Sequence, residues 1–300
     1  MHKQFLNEAI LELALSPDGP VLIKAGETGG IDPVPPDMEF VRMRGDVFIP
    51  GSSLKGVVRA HAERIMRTLQ PKAAAQNGRG ACDPLSRESS CGFRLERERL
   101  ESHQKYQQSC FACRLFGSTV VAGRVRFADA LAVGEVQIEE RNGVAIDRVY
   151  GSVAVGPFNY EVVTRGVFRT RLVFRNVTLA QLALVGLALR DLGEGRIGLG
   201  FGKSRGLGRV TLDWGKLTLR YPFGAIKATQ PPLDQLLGVG ELLTDAAYGF
   251  PAGDRVTLPS DLRFAADDWG SLEAVAEGKP AIDALFRSLT ERLRQEVVHA

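Results

Sequence analysis

Hydrophobic positions along this chain follow two periods, one near two residues and one near three and a half. Residues 4–15 alternate imperfectly and stop at Ser16-Pro17-Asp18-Gly19, which predicts a strand and a turn. Val21-Leu22-Ile23 is a short second run, and it leads into Gly26-Glu27-Thr28-Gly29-Gly30-Ile31-Asp32-Pro33, a loop. After Val47-Phe48-Ile49 the spacing turns helical through Leu69. Leu54, Val57 or Val58, Ile65 and Leu69 keep near one face, and Ser52 or Ser53 is placed to cap that helix. Thr119 to Phe127 reads as a strand with Arg124 and Arg126 on one side and Val125 and Phe127 on the other. Phe168 to Arg175 alternates again and carries Arg169, Arg171 and Arg175. Leu179 to Leu192 is the strongest amphipathic helix. Arg209 to Leu212 and Lys216 to Arg220 read as short closing strands, and a last helix is expected around Ala281 to Val297.

The order strand, helix, strand, strand, helix, strand is that of an α+β, ferredoxin-like (RNA-recognition-type) core. It predicts a core domain over residues 1–220 with insertions at about 71–117 and 134–166, and a C-terminal extension over 221–300 packed on it. Charge divides along the same line. The whole chain balances 38 Lys plus Arg against 35 Asp plus Glu, for a net of +3. Residues 1–220 hold a net of +8 and residues 221–300 a net of −5. A basic body with an acidic appendage suits a chain that lies along a polyanion, although two ordinary solvated faces give the same totals. Arginine supplies 29 of the basic residues and lysine 9, which fits planar phosphate recognition or simply GC-rich coding.

The N-terminus lacks a signal-peptide pattern, and the longest apolar run, near Leu182 to Leu189, is far short of a membrane span. A soluble cytoplasmic protein is expected. All four cysteines lie between Cys82 and Cys113. In a reducing compartment that clustering reads as a metal site more naturally than as disulfides. Cys82, Cys91, Cys110 and Cys113 would close a tetrahedral zinc site stapling a loop-like insertion, with His103 as a substitute ligand. The other reading is four buried, unliganded thiols.

Three more segments carry candidate chemistry. Pro50-Gly51-Ser52-Ser53-Leu54-Lys55-Gly56 sets hydroxyls, backbone N–H groups and a lysine at a helix start, which serves as a phosphate cradle or as a plain capping turn. Its spacing is not that of a Walker loop. Residues 193–208 contain seven glycines around Lys203 and Arg205, so a backbone can approach a phosphate chain closely there; a glycine-rich hairpin is the alternative. Asp32, with Asp37 and Asp46 nearby, is a loop carboxylate of the kind that places a general acid or Mg²⁺, or only forms a turn.

Together these pieces resemble the backbone subunits of type III CRISPR effector complexes, in the RAMP superfamily. The resemblance rests on Phe48-Ile49-Pro50-Gly51-Ser52-Ser53-Leu54-Lys55-Gly56, Cys113-Arg114-Leu115-Phe116-Gly117-Ser118, Ala145-Ile146-Asp147-Arg148 and the Gly-Lys-Ser-Arg-Gly-Leu-Gly segment at 202–208, and it spans roughly residues 5–220. It implies polymerisation along a CRISPR RNA, with guide contacts by Ser52, Ser53, Lys55, Lys203 and Arg205, and with Arg59 and Arg148 as further RNA-binding residues. It implies Mg²⁺-dependent cleavage of complementary target RNA by Asp32, or a non-catalytic scaffold of the same build. It further implies structural zinc, partner subunits including copies of the chain itself, and a thumb-like hairpin from about Asp147 to Thr164 with Val153, Val155, Phe158 and Tyr160 at an apolar tip. Gly151-Ser152-Val153-Ala154-Val155-Gly156 departs from the family's more basic, alanine-rich wording there, and the tail after about 225 is longer than a minimal member carries. No His or Tyr arrangement demands a metal-independent processing nuclease. An unrelated zinc-stapled structural protein is the third class, and it predicts no RNA affinity.

Overall fold

A computed structural model describes residues 4–25, 38–70, 76–83, 85–222, 232–243 and 246–298. The fold is mixed α+β. In chain order its elements are β1 (Glu8–Pro17), β2 (Arg42–Met43), β3 (Asp46–Ile49), α1 (Gly51–Leu69), α2 (Cys91–Glu96), α3 (Ser102–Gln108), α4 (Phe111–Phe116), β4 (Val125–Phe127), β5 (Ala130–Ile146), β6 (Val153–Arg175), α5 (Leu179–Gly193), β7 (Val210–Tyr221), β8 (Gln235–Leu237), α6 (Val239–Leu242), β9 (Arg255–Thr257), β10 (Ala265–Ala266), β11 (Leu272–Glu277) and α7 (Gly278–Val298). One sheet runs in the order β10-β11-β7-β1-β6-β5-β3-β2, with β4 also paired to β6. β1 lies between β6 and β7, antiparallel to both.

Alternation along β1 buries Leu11, Leu13 and Leu15 on one face, where Phe168, Leu172 and Phe174 of β6 and Leu217 and Leu219 of β7 join them. α1 and α5 cover that face. α5 is buried almost all round because α7 packs against its outer side, and a side chain at Gly186 would overlap the Phe286 ring of α7. Thr178 and Gln181 start α5 with a reciprocal capping box. α7 buries Ile282, Leu285, Leu289, Leu293 and Val297, spaced by three and then four residues, as one helical stripe requires.

Several local expectations need correction. α1 begins at Gly51 with Pro50 as its N-cap and no side-chain cap, so neither Ser52 nor Ser53 caps it. Gly51 N–H donates instead to Asp129 Oδ1 at 2.7 Å. The buried stripe of α1 is Leu54, Val58, Ala62 and Met66, while Leu69 is exposed. Residues 119–124 are not strand, and Arg124 does not face solvent with Arg126: it is 3 % exposed, its guanidinium over the Tyr106 ring. The two closing strands are one, β7, with a bulge against β1 at Gly215; the glycine that read as a break only interrupts the register. Val21 forms a single bridge to Val163 rather than a strand.

A buried carboxylate ties the C-terminal segments to the core. Asp254 accepts from Leu179 N–H at the start of α5 (3.0 Å) and from Gly240 N–H (2.9 Å). Burial pushes its pKa up to about 6. Glu296 on α7 is pushed up to about 8 by burial first and then by Asp254, against the pull of Arg292 and Arg114. Both values lie above the unfolded carboxyl range of about 4, so the folded chain holds protons that the unfolded chain releases. The contribution of these two groups to stability therefore falls as pH rises from about 4 to about 8. We expect Glu296→Gln to flatten that slope and raise the unfolding free energy at pH 8, by an amount on the order of a few kcal/mol, with a corresponding rise in the denaturant midpoint. Denaturant unfolding between pH 5 and pH 9 measures it; an unchanged slope counts against this assignment.

Candidate metal centre and nucleic-acid interface

The four cysteines meet because the short helices α2, α3 and α4 fold this segment back on itself, with α4 packed against α1. Ser90 caps α2, which leaves Cys91 at its first position, and Cys110 caps α4, which sets Cys113 one turn on. All four are buried, and their sulfurs lie within 4.8 Å of one another. Cys82 Sγ is 3.2 Å from Cys91, 3.5 Å from Cys110 and 3.7 Å from Cys113. A tetrahedral zinc site, with Zn–S near ~2.3 Å, spaces its sulfurs about 3.8 Å apart. The donor set therefore fits a metal. Backbone N–H groups support three of the sulfurs: Cys91 N to Cys82 (3.3 Å), Cys110 N to Cys91 (3.2 Å) and Cys113 N to Cys110 (3.4 Å). Hydrogen bonding among the four thiols pulls Cys91 and Cys82 below their ordinary value and pushes Cys110 and Cys113 above it, so the protons are shared across the cluster. His103 lies apart, edge-on to Tyr248 at 6.2 Å.

The second assembly is polar. The glycine-rich loop folds back on the segment after β1: Phe201 N donates to Leu22 O (2.7 Å), Gly208 N to Pro20 O (2.8 Å) and Leu199 N to Gly208 O (2.8 Å). Gly200 sits at φ +82°, and a side chain there would overlap the Leu22 carbonyl, so glycine is required. The turn at Lys203–Arg205 leaves both cations exposed, with the Arg205 guanidinium over Phe201 (5.1 Å) and Tyr160 (5.8 Å). Tyr160 belongs to the base of the long hairpin formed by β5 and β6. At that base Met38 N donates to Asn159 O (3.2 Å), Glu161 N to Met38 O (3.0 Å) and Val21 N to Val163 O (2.9 Å). Glu161 also takes Phe40 N–H at 2.9 Å and both terminal nitrogens of Arg42 at 2.8 Å. Ala25 N donates to Glu39 O at 3.0 Å, so the two flanks of residues 26–37 are pinned together beside the hairpin. Asp32 and Asp37 lie outside the described residues; Asp46 is exposed at the start of β3.

The remaining expected residues are spread out. Ser52 is exposed and Ser53 half-buried in the first turn of α1, whose leading N–H is already taken by Asp129. Burial, then Arg59, holds the Lys55 ammonium below its ordinary value. Arg59 is the neighbour of Lys55 one turn along α1, and its guanidinium is directed at Glu63, Gly117 and Cys113. Arg148 is exposed in the hairpin turn 147–152, where Asp147 Oδ1 accepts from Val149 N and Tyr150 N, each at 2.8 Å. Those two bonds keep the Asp147 carboxyl below its usual range. Val149 and Tyr150, 80 % and 85 % exposed, form the apolar tip together with Val153. Phe158 and Tyr160 are not at the tip: they lie half-buried along the ribbon with rings 6.2 Å apart, and the Val155 side chain lies outside the described residues. Sequence reading passed over Val149 and Tyr150 because their apolar character shows only once the turn is placed. It also passed over the exposure of Arg126, Arg169 and Arg171 on one open sheet face, where β6 alternation and the Arg126–Val173 register set them.

Among the described residues, no helix is long and apolar enough to cross a membrane. A family model described as the RAMP superfamily matches residues 18–211. No curated protein matches the chain.

Proposed function

The chain belongs to the RAMP superfamily, and we propose that it is a CRISPR RNA-binding backbone subunit of a type III effector complex that cleaves complementary target RNA at regular intervals. One observation carries this reading: the glycine-rich loop, the base of the hairpin and both flanks of residues 26–37 meet around Tyr160. A backbone-recognising loop, a wedge and a candidate acid are the three parts such a cut requires. The spatial order β7-β1-β6, with β4 and β5 on the far side of β6, supports a ferredoxin-like core for this role.

In this reading Lys203 and Arg205 hold guide phosphates, with Ser52, Ser53 and Lys55 as a second cradle and Arg148 a contact at the far end of the hairpin. Val149 and Tyr150 enter the stacked bases and interrupt the duplex. Asp32 acts at the phosphate thus opened, and a divalent cation would supply charge stabilisation there. Zinc on the four cysteines serves structure, since a closed, buried Cys₄ set leaves no open position for a substrate. Residues 221–300 are an acidic extension, and other subunits and copies of this chain are the protein partners.

The test is a salt-titrated binding assay with single-stranded RNA. Lys203→Ala combined with Arg205→Ala should weaken binding at every salt concentration and reduce the log–log salt slope by about 1.4, at about 0.7 per lost phosphate contact. Wild-type protein without salt-dependent RNA affinity would reject the reading in favour of a zinc-stapled structural protein.

A further inference from the structure

Three of the four cluster sulfurs are supported by backbone N–H groups, which do not depend on the donor's side chain. The fourth is different. Among the described residues, the donor other than a thiol that reaches Cys113 Sγ is the side chain of Arg59, whose Nη2 lies 3.7 Å away. The same guanidinium donates from Nη1 to Gly117 O (3.0 Å), the residue that ends α4, and from Nε to Glu63 Oε1 (2.8 Å), one turn along α1. Its planar fork thus spans α1, the end of α4 and the cluster, a geometry lysine cannot reproduce. Four thiolates around a divalent cation leave a net charge of about −2, and the half-buried Arg59 guanidinium stands beside it together with the buried Arg114. Arg59 is the one of the two that donates to Cys113 Sγ among the described contacts.

We propose that Arg59 is the outer-sphere partner of the metal-bound Cys113 thiolate, a positioning residue that sets how tightly the metal is held and fixes the cluster to α1. This departs from the phosphate-contact role that its place after Lys55 suggests. Its donors are spent on Glu63, Gly117 and Cys113, so a phosphate would have to displace them. Outer-sphere donors of this kind hold a ligand's orientation and stabilise its ionised form, and their loss typically weakens metal affinity by about 10–100-fold. The inference rests on the reading that the four cysteines hold a metal, and the experiment separates the two.

The full-length chain is loaded with zinc, or with cobalt(II) as a spectroscopic probe, and titrated with a competing chelator. RNA affinity is measured on the same preparations. Arg59→Ala is expected to lower metal affinity by about 10–100-fold. Arg59→Lys should lower it less and shift the cobalt–thiolate charge-transfer band, because it keeps the charge and loses the fork. RNA affinity of the metal-loaded Arg59→Lys protein should match wild type. Wild-type affinity for metal in Arg59→Ala, or a loss confined to RNA binding, overturns the proposal. Should Arg59→Ala fail to fold, an unshifted band and unchanged metal affinity in Arg59→Lys overturn it equally. A wild-type chain that takes up neither zinc nor cobalt defeats the metal reading itself.

Discussion

Replacing Cys113 with serine is expected to empty the cluster and unfold the segment around it. The helices that present Cys91 and Cys113 are six residues long each and α3 between them is seven, all too short to persist without tertiary support. Their support is the cluster and the adjoining apolar surface of Leu95, Phe111, Leu115 and Phe116, all buried. Structural zinc contributes about 10–16 kcal/mol to the folding of small peptides, and much of the corresponding local term should vanish when one thiolate of four is lost. Elemental analysis should fall from about one metal per chain to about none. Limited proteolysis should then cut within residues 76–117 while the sheet stays resistant. Cys110→Ser should behave alike. Carefully purified wild-type protein without zinc would reject this expectation and leave four buried thiols.

The second large effect concerns Asp32→Ala. If this carboxylate orients the metal or the attacking 2′-hydroxyl, its removal should slow target cleavage by about a hundred-fold or more. Guide binding should be unchanged, since the phosphate contacts proposed above are on Lys203, Arg205 and the start of α1. The readouts are a cleavage time course on labelled complementary RNA and the amount of guide that co-purifies. Persistent cleavage would transfer the chemistry elsewhere, with Asp46 the next carboxylate to replace, and would favour a scaffold that binds without cutting.

What the sequence disclosed followed the range of each signal. The apolar run of α5, the periodicity of α7 and the alternation of β1 and β6 are local, and they were legible. The exception is that α5 is not the amphipathic helix expected: α7 covers its outer side and leaves it buried nearly all round. The cysteine cluster was legible because its residue type is rare: four cysteines within a short segment leave few partners to choose from. Arg124 was misplaced because strand alternation was extended across residues that are not strand, and its burial depends on Tyr106 from another element. The helix start at Gly51 was mistaken because a hydroxyl at the right distance resembles a cap, whereas Asp129, far along the chain, takes the N–H. Asp254 gave no warning at all, since its partners Leu179 and Gly240 are joined to it only by the fold. Arg59 shows the same limit at the site: one helical turn places it after Lys55, but only tertiary structure decides which neighbour it serves.

The hairpin of β5 and β6 has one further consequence. Beyond Val133 and Val167 it loses the flanking strands, apart from single bridges at Val163 and Tyr160, and continues as a ribbon to Ile146 and Val153. Val162 and Val163 are still buried, but the outer part toward the turn is exposed on both faces, and a ribbon of two strands is marginal in water on its own. Its outer amides should therefore exchange with solvent through local fraying rather than global opening, in a gradient running from the anchored base to the turn. Mechanically it is a cantilever: stiff where Glu161 and Arg42 clamp it and compliant at Tyr150. The molecule can change the reach and angle of this arm without drawing on the stability of its core.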